Sequence, residues 1–151
     1  MCQARARSTS SERMIGVGSH RFQIHLEGKE APAVVIDAGL ADPLEKLRPL
    51  QDRIALVTRV ITYSRAGYGR SEPGPLPRHS GREAAELKAL IEKARIPGPY
   101  VLVGHSLGAR NKQVFASRYP DAVAGMVLLD PPPRSFLLGP EYRDLGRWPN
   151  G

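Results

Sequence analysis

Tyr100-Val101-Leu102-Val103-Gly104-His105-Ser106-Leu107-Gly108 carries an apolar run straight into the pattern Gly-x-Ser-x-Gly. A serine at the point of a sharp strand-to-helix turn projects its hydroxyl above the end of the strand, which requires a strained backbone at that one residue. The strand and the helix that follows come so close there that side chains at 104 and 108 would clash, and glycine at both positions removes the conflict. With glycine at about 7% of residues, the bare pattern would arise by chance in roughly one chain in twenty of this length. Its place directly after an apolar strand and at the head of a helical segment (109–119) is what makes it specific.

Outward from that turn, the chain alternates strands and helices. Segments 33–37, 100–103 and 123–129 are continuous apolar runs, the pattern of strands covered on both faces. Segment 54–63 is predicted as a further strand. Upstream, 14–17 and 21–27 are two short strands around a Gly18-Ser19 turn. In the second, Phe22, Ile24 and Leu26 alternate with Arg21, Gln23 and His25, as in a half-buried strand. Asp42-Pro43 reads as an N-cap with proline at the first helical position, with Leu44, Leu47 and Leu50 on one side of a short helix. Segment 80–95 is the clearest helix. Ser80-x-x-Glu83 forms a capping box, and Ala84, Leu87, Leu90, Ile91 and Ala94 form one apolar stripe. Such alternation predicts an α/β fold, a mostly parallel sheet flanked by helices. The loops at its C-terminal rim, where ligands of such sheets bind, are 38–42, 64–71 and 104–108.

The chain of 151 residues is long enough for one domain with a core. No apolar run approaches the roughly 18 residues of a membrane span. The net charge of +7 is scattered along the chain without a basic block or interleaved aromatics, so nucleic acid is not an expected partner. The one cysteine, Cys2, cannot close an internal disulfide. Residues 1–13 hold arginines and hydroxyls but no signal-peptide core, which makes them a disordered lead-in and the expected location cytoplasmic. No metal cluster, phosphate loop or dinucleotide fingerprint is present, so no cofactor and no metal are expected.

Three separated stretches together resemble the α/β-hydrolase superfamily in its esterase-like branch. They are Pro99 through Gly108, the loop Tyr63-Ser64-Arg65-Ala66-Gly67-Tyr68-Gly69-Arg70-Ser71, and Val123-Ala124-Gly125-Met126-Val127-Leu128-Leu129-Asp130-Pro131. They stand in the family's order and at its spacings, and the similarity runs from about residue 14 to 133. The resemblance implies a carboxylic-ester hydrolase acting on a small ester-like substrate through an acyl-enzyme. Ser106 would be the nucleophile, and the backbone N–H groups of Leu107 and Leu40 would form the oxyanion hole, the latter from Ala38-Gly39-Leu40.

Departures from the family's pattern qualify that reading. The triad histidine follows the nucleophile in this family, yet His20, His25, His79 and His105 all precede Ser106. His105 is expected to point away from the Ser106 hydroxyl, and His79 reads as a solvated loop histidine. Asp130, at the end of its strand, is a candidate acid, with capping of strand-end amides as the alternative. Ser64 replaces the family's usual aspartate, which implies a looser rim. The chain is therefore expected to be the N-terminal half of a hydrolase, a core over 14–133 truncated after the sixth strand and weakly active or inactive alone. A non-catalytic binding module keeping the rim is the alternative. Strand 123–129 would stand at an exposed edge, favouring self-association. Residues 134–151 would be an irregular tail or the start of a lid, around Phe136, Leu137, Leu138 and Trp148.

Overall fold

A computed structural model describes residues 10–133. The predicted lid residues and most of the predicted lead-in lie outside the described residues. The strands are β1 (Ser11–Val17), β2 (His20–Glu27), β3 (Val34–Asp37), β4 (Val60–Tyr63), β5 (Tyr100–His105) and β6 (Val123–Leu129); the helices are α1 (Arg48–Ile54), α2 (Ser80–Lys93) and α3 (Leu107–Arg118). They form one six-stranded sheet in the order β1-β2-β4-β3-β5-β6. The first two strands are an antiparallel hairpin and β2 lies antiparallel to β4, whereas β4, β3, β5 and β6 are mutually parallel. This is the predicted sheet with helices on both faces.

The apolar runs are apolar because each face of the central sheet meets its own core. On one face, Val35, Ile61 and Leu102 pack with Leu87, Leu90 and Ile91 of α2 and Val114 and Phe115 of α3. On the other, Val34, Ile36, Val60 and Val103 meet Leu47, Leu50 and Ile54. The α2 stripe read from the sequence is thus the surface that docks.

Four expectations need correction. The predicted strand 54–63 begins only at Val60. Ile54 closes α1 and packs on the second core. The chain then turns, with Leu56 and Val57 exposed, because a short apolar run alone does not separate helix end from strand. The face of β2 expected in solvent is covered. Gln23 and His25 are buried beneath the segment 44–54, where the Gln51 Nε2 lies 2.6 Å from His25 Nδ1 and Gln23 Nε2 donates to Glu45 at 2.9 Å. The N-cap of α2 is one residue earlier than the predicted Ser80. His79 is the N-cap of α2, its Nδ1 accepting the Arg82 N–H at 3.2 Å, while Glu83 is drawn into a group of cations described below. Asp42 does not cap a helix either. Leu44–Leu47 is a 3₁₀ turn whose N-cap is Pro43, and Asp42 pairs with Lys46 at 3.8 Å.

Strand β6 pairs only with β5 among the described residues. Alternate side chains are consequently uncovered, and Val127 and Leu129 are 48% and 39% exposed.

Candidate functional site

Strand β5 ends at His105 and α3 begins at Leu107, so the whole reversal falls on Ser106. Its φ of 50° and ψ of −116° lie where L residues seldom go. The Ser106 N–H is held by the Leu129 carbonyl at 3.0 Å, and its side chain makes no capping bond to the helix it starts. The flanking glycines have the predicted reason. A Cβ on Gly104 would stand 2.5 Å from the Ala109 backbone, and one on Gly108 would run into the carbonyls of Asp37 and Ala38. The first turn of α3 therefore lies directly on the loop after β3.

That loop supplies Gly39 and Leu40. Leu40 is 68% exposed, and together with Leu107 it lines an open pocket of about 260 Å³ whose walls include Tyr68, Arg78, His79 and Arg110. Sequence-predicted Ser106, Leu107, Leu40, Gly104 and Gly108 are thus brought to one rim. Asp130 is on the same rim at the end of β6, exposed and with φ 47°. His105 is turned toward the loop, as a Cβ on Gly39 would lie 3.0 Å from its Nδ1.

Beneath the rim is a buried ionic cluster that the sequence reading missed. Asp37 and Lys112 are fully buried and Arg65 is 2% exposed. Asp37 accepts from Arg65 at 2.5 Å and from the Tyr63 hydroxyl at 2.9 Å. The Lys112 Nζ stands 3.7 Å from Asp37 and donates to the Tyr63 hydroxyl at 3.2 Å. Asn111 bridges Asp37 and Glu83, at 3.4 and 2.5 Å. Burial alone would raise the Asp37 carboxyl, but Lys112 and Arg65 beside it, with the Tyr63 hydroxyl, hold it below its ordinary value. Burial raises Glu83, against the pull of Arg65.

Lys112 is the exception among the cations, because burial outweighs Asp37 and brings it from 10.5 to about 8. The folded chain then holds this proton less tightly than the unfolded one, so between about pH 8 and 10 unfolding takes up a proton and stability rises with pH. Urea melts across that window should show the rise in the wild type and a flatter profile in Lys112→Met. An unchanged slope in the variant would show that Lys112 is not the group responsible.

The loop 64–71 is anchored, contrary to the looser rim expected from Ser64. That serine is fully buried; its hydroxyl donates to Gln23 Oε1 and accepts from the Leu44 N–H, both at 3.1 Å. Ser71 adds a bond to the Ser64 carbonyl at 2.6 Å. Gly69, with φ 51°, lies so close that a Cβ there would sit 2.6 Å from the Ser64 hydroxyl. A small hydroxyl thus does the ordering work expected of a carboxylate. Ser64→Ala should cost about 1–3 kcal/mol in chemical denaturation, since it strips the buried Leu44 N–H of its partner while Gln23 Oε1 keeps only the Arg70 N–H. A loss below about 0.5 kcal/mol would place the anchoring elsewhere.

Among the described residues, no group of acids, histidines and cysteines is arranged to hold a metal, and no helix is long and apolar enough to cross a membrane.

A bend at a serine between two glycines, at the C-terminal rim of a wrapped parallel sheet, defines a class, and the sequence profile of the alpha/beta hydrolase fold matches residues 32–149. The chain belongs to the α/β-hydrolase family. It is 34% identical over 107 residues to the uncharacterized protein YqjL of Bacillus subtilis, covering 71% of this chain and 42% of YqjL. It is 28% identical over 118 residues to 2-(acetamidomethylene)succinate hydrolase of Mesorhizobium japonicum, covering 78% of this chain and 42% of that enzyme. The solved structure of Cfl2 from Burkholderia cenocepacia superposes with a TM-score of 0.75 at 26% identity, over 80% of this chain and 41% of Cfl2. The chain therefore spans less than half the length of these relatives.

Proposed function

We propose that Ser106 is the nucleophile of a serine hydrolase acting on small carboxylic esters. The observation that supports this most is the Ser106 backbone, strained at φ 50° and held between two glycines that tolerate no side chain. In this reading the Ser106 hydroxyl oxygen adds to the ester carbonyl, and the Leu107 and Leu40 N–H groups receive the oxyanion. Collapse of the tetrahedral species expels the alcohol and leaves an acyl-serine, which water then hydrolyses.

The proton of Ser106 needs a base, and all four histidines precede it in the chain, three of them held by other partners. His20 is buried beside Glu86, and His25 is buried between Ser10 and Gln51. His79 caps α2, and His105 lies against Gly39. Without a base, a triad serine retains only the roughly 10³–10⁴-fold that binding and the oxyanion hole provide. These 151 residues alone are therefore expected to be weakly active or inactive, with the base supplied from outside them. Asp130, on the rim, is the candidate acid within them.

A second reading is a binding module that keeps the rim and its open pocket beside Leu40 and Leu107 without the chemistry. Hydrolysis of short-chain aryl esters by the intact protein, as its organism makes it, decides between the two. Turnover abolished by Ser106→Ala supports the hydrolase. No turnover, or turnover indifferent to that substitution, supports the module.

A further inference from the structure

The candidate oxyanion donor Leu40 shares a peptide group with the Gly39 carbonyl, and that carbonyl is gripped from below. The buried Arg65 guanidinium donates to the Gly39 carbonyl at 2.5 Å, to the Ala38 carbonyl at 2.6 Å and to Asp37 at 2.5 Å. The Asp42 N–H adds a weaker bond to the same Gly39 oxygen at 3.3 Å. All cis peptides among the described residues precede proline, so the Gly39–Leu40 peptide is trans. In a trans peptide the N–H points opposite to the C=O. The carbonyl is turned inward onto a buried cation, so the N–H points away from Arg65.

We propose that Arg65 is the positioning residue of the oxyanion hole, fixing the Gly39–Leu40 peptide with its N–H toward the reacting carbonyl and polarising it as a donor. This rests on the reading of Ser106 as nucleophile. Two physical facts make the grip consequential. Gly39 has access to backbone conformations closed to other residues, so its peptide can flip at small cost unless something holds it. A flipped peptide would present a carbonyl oxygen to the developing oxyanion. A bond from a full cation also draws electron density toward the carbonyl oxygen and strengthens the N–H at the other end of the amide.

The fork geometry matters as much as the charge. Two guanidinium nitrogens reach one carboxylate and two carbonyls at once, which a lysine ammonium cannot do. Asp37 holds the guanidinium in place, and the carbonyls of Asp37 and Ala38 lie against Gly108 of α3. One buried pair thereby sets the loop that carries Leu40 in register with the helix start that carries Leu107.

The test uses the intact protein with Arg65→Lys, and Arg65→Ala with and without added guanidinium. In Arg65→Lys, kcat for a short ester should fall about 10²-fold or more, the size of a lost oxyanion donor, with KM nearly unchanged. Guanidinium should restore part of the rate to Arg65→Ala. Independently of turnover, the ¹H–¹⁵N resonance of Leu40 should move and its amide exchange should quicken in Arg65→Lys, while the amides of Val35 and Leu102 stay put. If Arg65→Lys does not fold, the combination of Asp37→Asn, Arg65→Gln and Lys112→Met, which removes Arg65 together with the two buried charges beside it, should show the same loss in kcat. A folded variant with kcat within about threefold of wild type, or with an unmoved Leu40 amide, overturns the proposal. Absence of Ser106-dependent turnover in the wild type defeats the nucleophile reading instead, and the amide measurements then decide on Arg65 by themselves.

Discussion

Asp37→Asn should cost the fold about 3–5 kcal/mol, the loss measured when one member of a buried ion pair is removed. The substitution is nearly isosteric, so the effect is electrostatic. Asp37 is the anion that both Arg65 and Lys112 face, at 2.5 and 3.7 Å, and it is buried with them. An amide at this position leaves the buried Lys112 facing neutral partners and Arg65 with only the more distant Glu83, at 3.7 Å. Against a total stability of about 5–15 kcal/mol for an ordinary domain, that loss is a large fraction. Adding Lys112→Met should restore part of it, because one uncompensated cation is then removed. Urea denaturation of the two variants checks both statements. A loss below about 1 kcal/mol for Asp37→Asn would mean that Glu83 or solvent already balances the cluster.

Gly108→Ala should also be damaging although it adds one methyl group. That methyl would lie 2.6 Å from the Ala38 carbonyl oxygen and nearer still to that of Asp37. The obstacle is backbone at the end of β3, so no rotamer change relieves it. Overpacking of this kind costs about 1–3 kcal/mol and occasionally more. Separating α3 from the loop would also pull Leu107 away from Leu40, so under the proposed hydrolase reading Ser106-dependent turnover should fall as well. Gly125→Ala is the matched control, since a Cβ there meets nothing within 4 Å. Equal melting temperatures for the two variants would contradict the close approach of helix and loop.

What the sequence disclosed and what it hid divide along a physical line. The bend at Ser106 was legible because Gly104 and Gly108 answer a local steric demand that any chain must meet at such a turn. Strands β3 and β5 were legible because burial on two faces leaves little room for polar alternation, and β6 was legible as an apolar run although Val127 and Leu129 stand exposed. The extent of α1 was not legible, because Ile54-Ala55-Leu56-Val57 has no period to read. The ionic cluster was hidden for another reason. Its members come from β3, the loop after β4, α2 and α3, and nothing in local sequence pairs them. One signal was available. Lys112 lies on the same stripe of α3 as Ala109 and Ala116, both fully buried, and a lysine inside an apolar stripe needs an anion nearby. The Ser64 anchor escaped notice because its partners, Gln23 and Leu44, are likewise distant in sequence.

Reaction of the intact folded protein with a fluorophosphonate, followed by mapping of the adduct by mass spectrometry, tests the role of Ser106 most directly. The expected result is one adduct, on Ser106, that disappears on unfolding and in Ser106→Ala. A folded protein that stays unlabelled at Ser106, or that carries its adduct on another residue, would contradict that role.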